Sequence, residues 1–91
     1  MKIPESLIIG EAVYTIKYVD AFEDVHQMGL CDADLYVITL KQGMPPHQEM
    51  AVLIHEILHA VCFEAGMRLK HKHIERLERP LASLIMRNFI K

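Results

Sequence analysis

Cysteine, glycine and proline are all scarce in this chain, and so are long apolar runs. Two cysteines, Cys31 and Cys62, are too few for a disulfide framework, and each reads as the free thiol of a reducing compartment. Four Gly and four Pro, set in 52% hydrophobic and 24% charged residues, exclude a disordered or low-complexity segment. No stretch approaches the roughly eighteen consecutive apolar residues of a membrane span, and Met1-Lys2-Ile3-Pro4-Glu5 does not lead into the apolar core of a signal peptide. The expectation is a cytoplasmic protein with no membrane partner. A net charge of −2 and a pI near 6.3 give no overall basic footprint for phosphate backbones, so no nucleic-acid partner is expected either.

What is present fits one domain over residues 1–91, with no internal repeat and no linker. A core this small gains from a metal, a disulfide or a partner. Leu7-Ile8-Ile9 and Val13 to Val19 read as two strands turning at Gly10-Glu11. In the second, Val13, Thr15, Lys17 and Val19 alternate with Tyr14, Ile16 and Tyr18, the period of a half-buried strand. Residues 20–34 are acidic and broken by Gly29, the pattern of a surface connection, with a helical turn near Ala21–His26. Leu35 to Leu40, rich in β-branched and aromatic residues, is the clearest strand.

Met44-Pro45-Pro46-His47 then starts a helix, because proline is tolerated in a first turn, and Glu49 suits the positive end of the helix dipole. The helix is predicted from His47 to Glu64, with Gly66 as its stop. A second helix is predicted from His71 to Phe89, kinked or restarted at Pro80. Three strands followed by two helices make the fold α+β.

The first helix carries His55-Glu56-Ile57-Leu58-His59. Residues four apart share a helix face, so His55 and His59 can offer two imidazole nitrogens to one metal ion. Glu56 is rotated by roughly 100° from His55, so it can reach a metal-activated water without being a ligand. That spacing suits zinc hydrolysis, in which the metal acidifies a water, Glu56 accepts its proton, and a polarised carbonyl is attacked. Met50, Leu53, Ile54, Ile57, Leu58 and Val61 form an apolar stripe away from the histidines, which frees the histidine face for chemistry.

Catalytic zinc needs a third protein ligand and an open position. Glu78 is the first choice, since eighteen residues separate it from His59 and it borders the stripe Ile74, Leu77, Leu81, Leu84, Ile85, Asn88, apolar but for its last member, on the second helix. Glu75 and then His71 are the alternatives, and a solvated carboxylate pairing with Arg76 or Arg79 is the ordinary reading of either glutamate. Cys62 reads as a small buried residue beside the site, Tyr36 as strand packing, the six methionines as core filling, and His26, His47 and His73 as surface.

His55-Glu56-Ile57-Leu58-His59-Ala60, with Glu78 after its eighteen-residue gap, resembles the gluzincin metallopeptidases. The stretch from Val52 to Asn88 resembles the small zincin-like proteins of bacteriophages and prophages, near the ImmA/IrrE type. The resemblance implies a minimal zincin fold, in which a short, mostly antiparallel three-stranded sheet packs on the active-site helix and a following helix supplies the glutamate. It also implies Zn²⁺ as cofactor, His55, His59 and Glu78 as its ligands, Glu56 as catalytic base, and the host cytoplasm as location for a phage-encoded chain.

Two functions follow as expectations. The first is a zinc metallopeptidase acting on a peptide or protein, with a homodimer or protein partner completing a cleft that 91 residues barely furnish. The second is a catalytically silent zinc-stabilised interaction module of phage origin. Glu56 favours the enzyme, because a structural site needs no base next to a ligand.

Overall fold

The structure is a computed structural model that describes residues 3–89, and the elements run β1 (Ser6–Ile9), β2 (Ala12–Val19), β3 (Gly29–Asp32), β4 (Val37–Lys41), α1 (Pro46–Ala65) and α2 (His71–Asn88). The strands form one sheet in the order β1-β2-β4-β3. β1 pairs antiparallel with β2 through a two-residue turn in which Gly10 adopts φ 62°, the left-handed conformation glycine takes without strain. β2 pairs parallel with β4, and β3 pairs antiparallel with β4 from the free edge.

The α+β class holds, but the sheet is four-stranded and mixed, which corrects the expected three mostly antiparallel strands. Two local features explain the difference. Gly29–Asp32, read as surface connection, returns alongside β4, from Gly29↔Leu40 to Asp32↔Val37. The strand expected from Leu35 starts only at Val37, because Tyr36 has φ 56° and closes the turn from β3. Asp32 Oδ1 accepts the Leu35 N–H in that turn at 3.2 Å, and the Tyr36 carbonyl accepts the Thr15 N–H at 2.9 Å. The helical turn expected near Ala21–His26 is instead one hydrogen-bonded turn, with the Gln27 N–H donating to the Asp24 carbonyl at 3.0 Å.

One face of the sheet meets α1. Tyr14, Ile16, Ile38 and Leu40 alternate onto that face and are buried against Met50, Leu53, Ile54 and Ala60. Of the stripe read on α1, Ile57 and Leu58 pack at the core's margin, while Val61 is exposed. Tyr14 also donates its hydroxyl to Glu64 Oε2 at 2.8 Å, which ties the last turn of α1 to the sheet.

Pro46 occupies the first turn of α1, where its missing N–H costs nothing, and Glu49 lies in the same turn. At the other end Gly66 is left-handed, its N–H donating to the Phe63 carbonyl and the Met67 N–H to the Cys62 carbonyl, a Schellman stop. Five residues later α2 runs back along α1, and Ala82, Leu81 and Ile85 join the core. Pro80 lies within α2, which continues through it on an exposed side. Among the described residues no helix is long and apolar enough to cross a membrane.

Candidate metal centre

The reversal at Gly66 brings the start of α2 against the histidine face of α1. His55 and His59, one turn apart, point their rings to the same side, with Nε2 of one 3.2 Å from Nε2 of the other. Two nitrogens bound tetrahedrally to zinc at about 2.0–2.1 Å would stand roughly 3.3 Å apart, so this pair already has the spacing of two ligands. His71, the first residue of α2, completes a group whose donor atoms lie within 4.8 Å of one another. Its ring centroid is 4.8 Å from that of His55 and 5.8 Å from that of His59. Three histidines therefore lie close enough to hold a metal ion.

Glu78 faces α1, as its place on the α2 apolar margin implied, and its Oε2 lies 2.9 Å from His55 Nδ1. A carboxylate there fixes the His55 proton on Nδ1 and leaves Nε2 as a lone-pair donor toward His59 and His71. Glu75 Oε1 lies 3.0 Å from His71 Nε2 on a more exposed part of the same helix. Both α2 carboxylates thus engage histidines rather than Arg76 or Arg79.

Glu56 occupies a different environment from these two. It is 7% exposed and takes part in no side-chain hydrogen bond or ion pair among the described residues, and since no fully buried side-chain oxygen there lacks a partner, its carboxylate opens onto the cleft. Burial first, and the Glu78 carboxylate second, push its carboxyl up to about 7. A carboxyl poised near neutrality is matched to taking and returning a proton at physiological pH. His59 is shifted down, by burial first and then by His55 and His71, which keeps its imidazole neutral and able to ligate.

The wall opposite α1 is β3, which the sequence did not reveal as a strand. Gly29 sits so close to α1 that a Cβ there would lie 2.7 Å from Val52 Cγ1 and 2.9 Å from Glu56 Oε2. Only glycine lets the strand approach the carboxylate this closely. A cavity of about 290 Å³ opens between this wall and the histidines, lined by His26 to Gly29, Val52, His55, Glu56, His71 and Glu78. It continues on one side past Leu30, Cys31, His59 and Phe63, and on the other, through Val52 and Glu78, to His47 and Arg79.

The remaining candidates separate clearly. Cys31 lines the cleft, but burial, and after it the nearby Glu56, pushes its thiol up to about 11, so it is held protonated. Cys62 is buried and free. Tyr36 packs edge-on against Tyr14 with ring centroids 5.5 Å apart. His26, His47 and His73 are exposed, although His26 forms part of the cleft rim. The chain matches no protein-family model, no curated protein and no solved structure.

Proposed function

We propose that the chain is a small zinc-dependent hydrolase of the metallopeptidase type, with His55, His59 and His71 as metal ligands and Glu56 as general base. The observation that carries this reading is the meeting, in one cleft, of two imidazole Nε2 atoms at ligand spacing, a third histidine and a buried carboxyl held near neutrality. The donor set is nitrogen-only and compact, which suits zinc over calcium or magnesium. A zinc ion bound there supplies Lewis acidity and a water of lowered pKa.

The other steps belong to the chain itself. Glu56 accepts the proton of the attacking water and delivers it to the leaving amine, a cycle its raised pKa supports in both directions. Glu78, in this reading, orients His55 through Nδ1 rather than ligating, so the sequence-based preference for Glu78 as third ligand gives way to His71. β3 is an edge strand beside the histidines, and beyond the Gly29 carbonyl, which accepts from Gln27 Nε2, its outer side could pair with an extended polypeptide. The likeness of His55 to Glu78 to the gluzincin pattern supports the reaction class.

A second reading, a zinc-stabilised interaction module, is favoured by one observation. The three histidines join α1 to α2, so an ion held between them would staple the two helices across a short connection. One experiment separates the readings. Purified chain is assayed for bound zinc and for cleavage of a diverse peptide library, beside Glu56→Gln. About one zinc per chain with cleavage lost in the variant supports the hydrolase. Zinc without cleavage by either supports the module, and a folded chain that takes up no zinc overturns both.

A further inference from the structure

The overall charge of −2 conceals a strong separation. Residues 68–89 hold six Lys or Arg against two carboxylates, whereas residues 3–67 hold two Lys against ten carboxylates. Helix geometry concentrates the positive group further. Lys72, Arg76, Arg79 and Arg87 follow one another at spacings that keep them on one side of α2, opposite Ile74 and Ile85, and all four are exposed. The two carboxylates of α2, the natural partners of such a row, are engaged with His55 and His71, and among the described residues no Lys or Arg makes an ion pair. Like charges kept unpaired along a helix repel one another, so the row is an unsatisfied electrostatic feature of the surface.

Its position relates it to the cleft. Arg79 lines the part of the groove that reaches the metal centre through Val52 and Glu78, with His47 facing it from α1. From Lys72 to Arg87 the row is about 22 Å long, the span of roughly seven residues of extended polypeptide. A nucleic-acid duplex, with a charge every ~1.7 Å and extending well beyond the row, would bring phosphates against the acidic remainder of the chain. A short acidic segment would not. Between its cations the row holds Pro80 and Ser83, and the exposed Leu77 and Leu84 lie to one side of it, so it presents no aromatic for stacking on bases and no continuous apolar strip for a bilayer.

We propose that the α2 row of Lys72, Arg76, Arg79 and Arg87 is the docking surface for an acidic polypeptide segment, which Arg79 guides into the cleft beside His55 and Glu56. This rests on the hydrolase reading for the fate of the segment, but the binding surface exists independently of turnover. The acidic segment lies adjacent to the bond presented to the metal centre, so the substrate class is a protein with a carboxylate-rich stretch flanking its cleavage site.

The test uses Glu56→Gln, which cannot consume its ligand, with and without zinc, and fluorescent peptides of about seven residues that differ only in carrying Glu or Gln at alternate positions. Anisotropy should show the Glu peptide binding about tenfold more tightly at low salt, with the gap closing as salt is added. Adding Arg76→Glu and Arg79→Glu should abolish that gap and favour a Lys counterpart; Arg79→Gln, which leaves the helix nearly unperturbed, should narrow it. Equal binding of the Glu and Gln peptides overturns the proposal. So does a gap that survives charge reversal in a chain whose circular dichroism is unchanged, or a DNA duplex of about 20 base pairs that binds the row more tightly than the Glu peptide. A chain that binds the Glu peptide but takes up no zinc would leave this surface standing and remove the hydrolase reading.

Discussion

Replacing Glu56 with Gln should stabilise the metal-free chain, and should do so only above acidic pH. Glu56 is largely buried, its carboxylate opening only onto the cleft, and its carboxyl is raised from an ordinary 4.5 to about 7, by burial first and the Glu78 carboxylate second. A raised carboxyl pKa means that the folded chain holds the proton more tightly than the unfolded chain. Stability from this group is therefore complete below pH ~4.5 and is lost as pH rises toward 7. The difference corresponds to about 3 kcal/mol of penalty on the ionised form at pH 7.5 and above. Glutamine keeps the shape and carries no charge, so the variant escapes that penalty. For a domain of this size, about 3 kcal/mol moves Tm by roughly 10–20 °C. Thermal unfolding followed by circular dichroism, with a chelator, at about pH 4, 5.5 and 7.5 for both chains, measures it. The His59 shift adds its own pH dependence, but equally to both chains, so it cancels in the difference. Near-equal Tm values at pH 4 that diverge steadily toward pH 7.5 are expected; a difference independent of pH refutes the burial account of Glu56. Zinc supplies a further check, because a nearby dication favours the carboxylate and should shrink the advantage of glutamine.

Three other outcomes follow from the same geometry. Gly29→Ala places a methyl group 2.7 Å from Val52 Cγ1 and 2.9 Å from Glu56 Oε2, so it should cost about 1–3 kcal/mol in denaturant unfolding and, on the hydrolase reading, abolish hydrolysis by displacing the proposed base. His71→Ala should weaken zinc binding more than Glu78→Gln, for which a loss of about 10–100-fold is expected from disorienting His55; competition with a chromogenic chelator ranks the two, and the reverse order would return Glu78 to the ligand set. Pro80→Ala, at an exposed position inside α2, restores a backbone donor for the Arg76 carbonyl and should raise stability by about 1–3 kcal/mol, with little effect on metal uptake.

The helix of the His-Glu-Ile-Leu-His motif was legible because each of its signals is local. Two prolines open it, an apolar stripe runs along it, and Gly66 closes it, so the observed bounds of Pro46–Ala65 differ from the expected His47–Glu64 by one residue at each end. β1 and β2 were legible for the same reason. β3 was not, since Gly-Leu-Cys-Asp is too short to display a period, and its identity as a strand depends on pairing with β4 across the left-handed turn at Tyr36. Tyr36 misled because a β-former sits in a left-handed turn that tertiary pairing enforces. In the site, spacing on one helix brings His55 and His59 together, but the relative reach of Glu78 and His71 depends on where α2 begins along α1. A helical wheel carries no information about that offset. It did give the face of Glu78 correctly, while leaving open whether the carboxylate meets a metal or the back of a histidine.

The unfavourable features of the cleft have a common electrostatic remedy. A carboxylate at Glu56 is disfavoured by burial and by Glu78, and a protonated imidazole at His59 is disfavoured by burial and then by His55 and His71. In the metal-free chain both are relieved only in the narrow range below the Glu56 value of about 7 and above the lowered His59 value, because further acidification charges His59 and alkalinisation ionises Glu56. A dication bound by neutral imidazoles relieves both at once: it uses the lone pairs that deprotonation exposes, and its charge stabilises the nearby carboxylate. Zinc should therefore raise Tm most near neutral pH and progressively less toward pH 5, where protons compete for the same nitrogens. A purely structural cluster could have achieved the histidine half of this arrangement with any apolar residue at position 56. The glutamate makes the metal-free chain less stable there, and a buried base beside a Lewis acid is the use for which that loss makes physical sense.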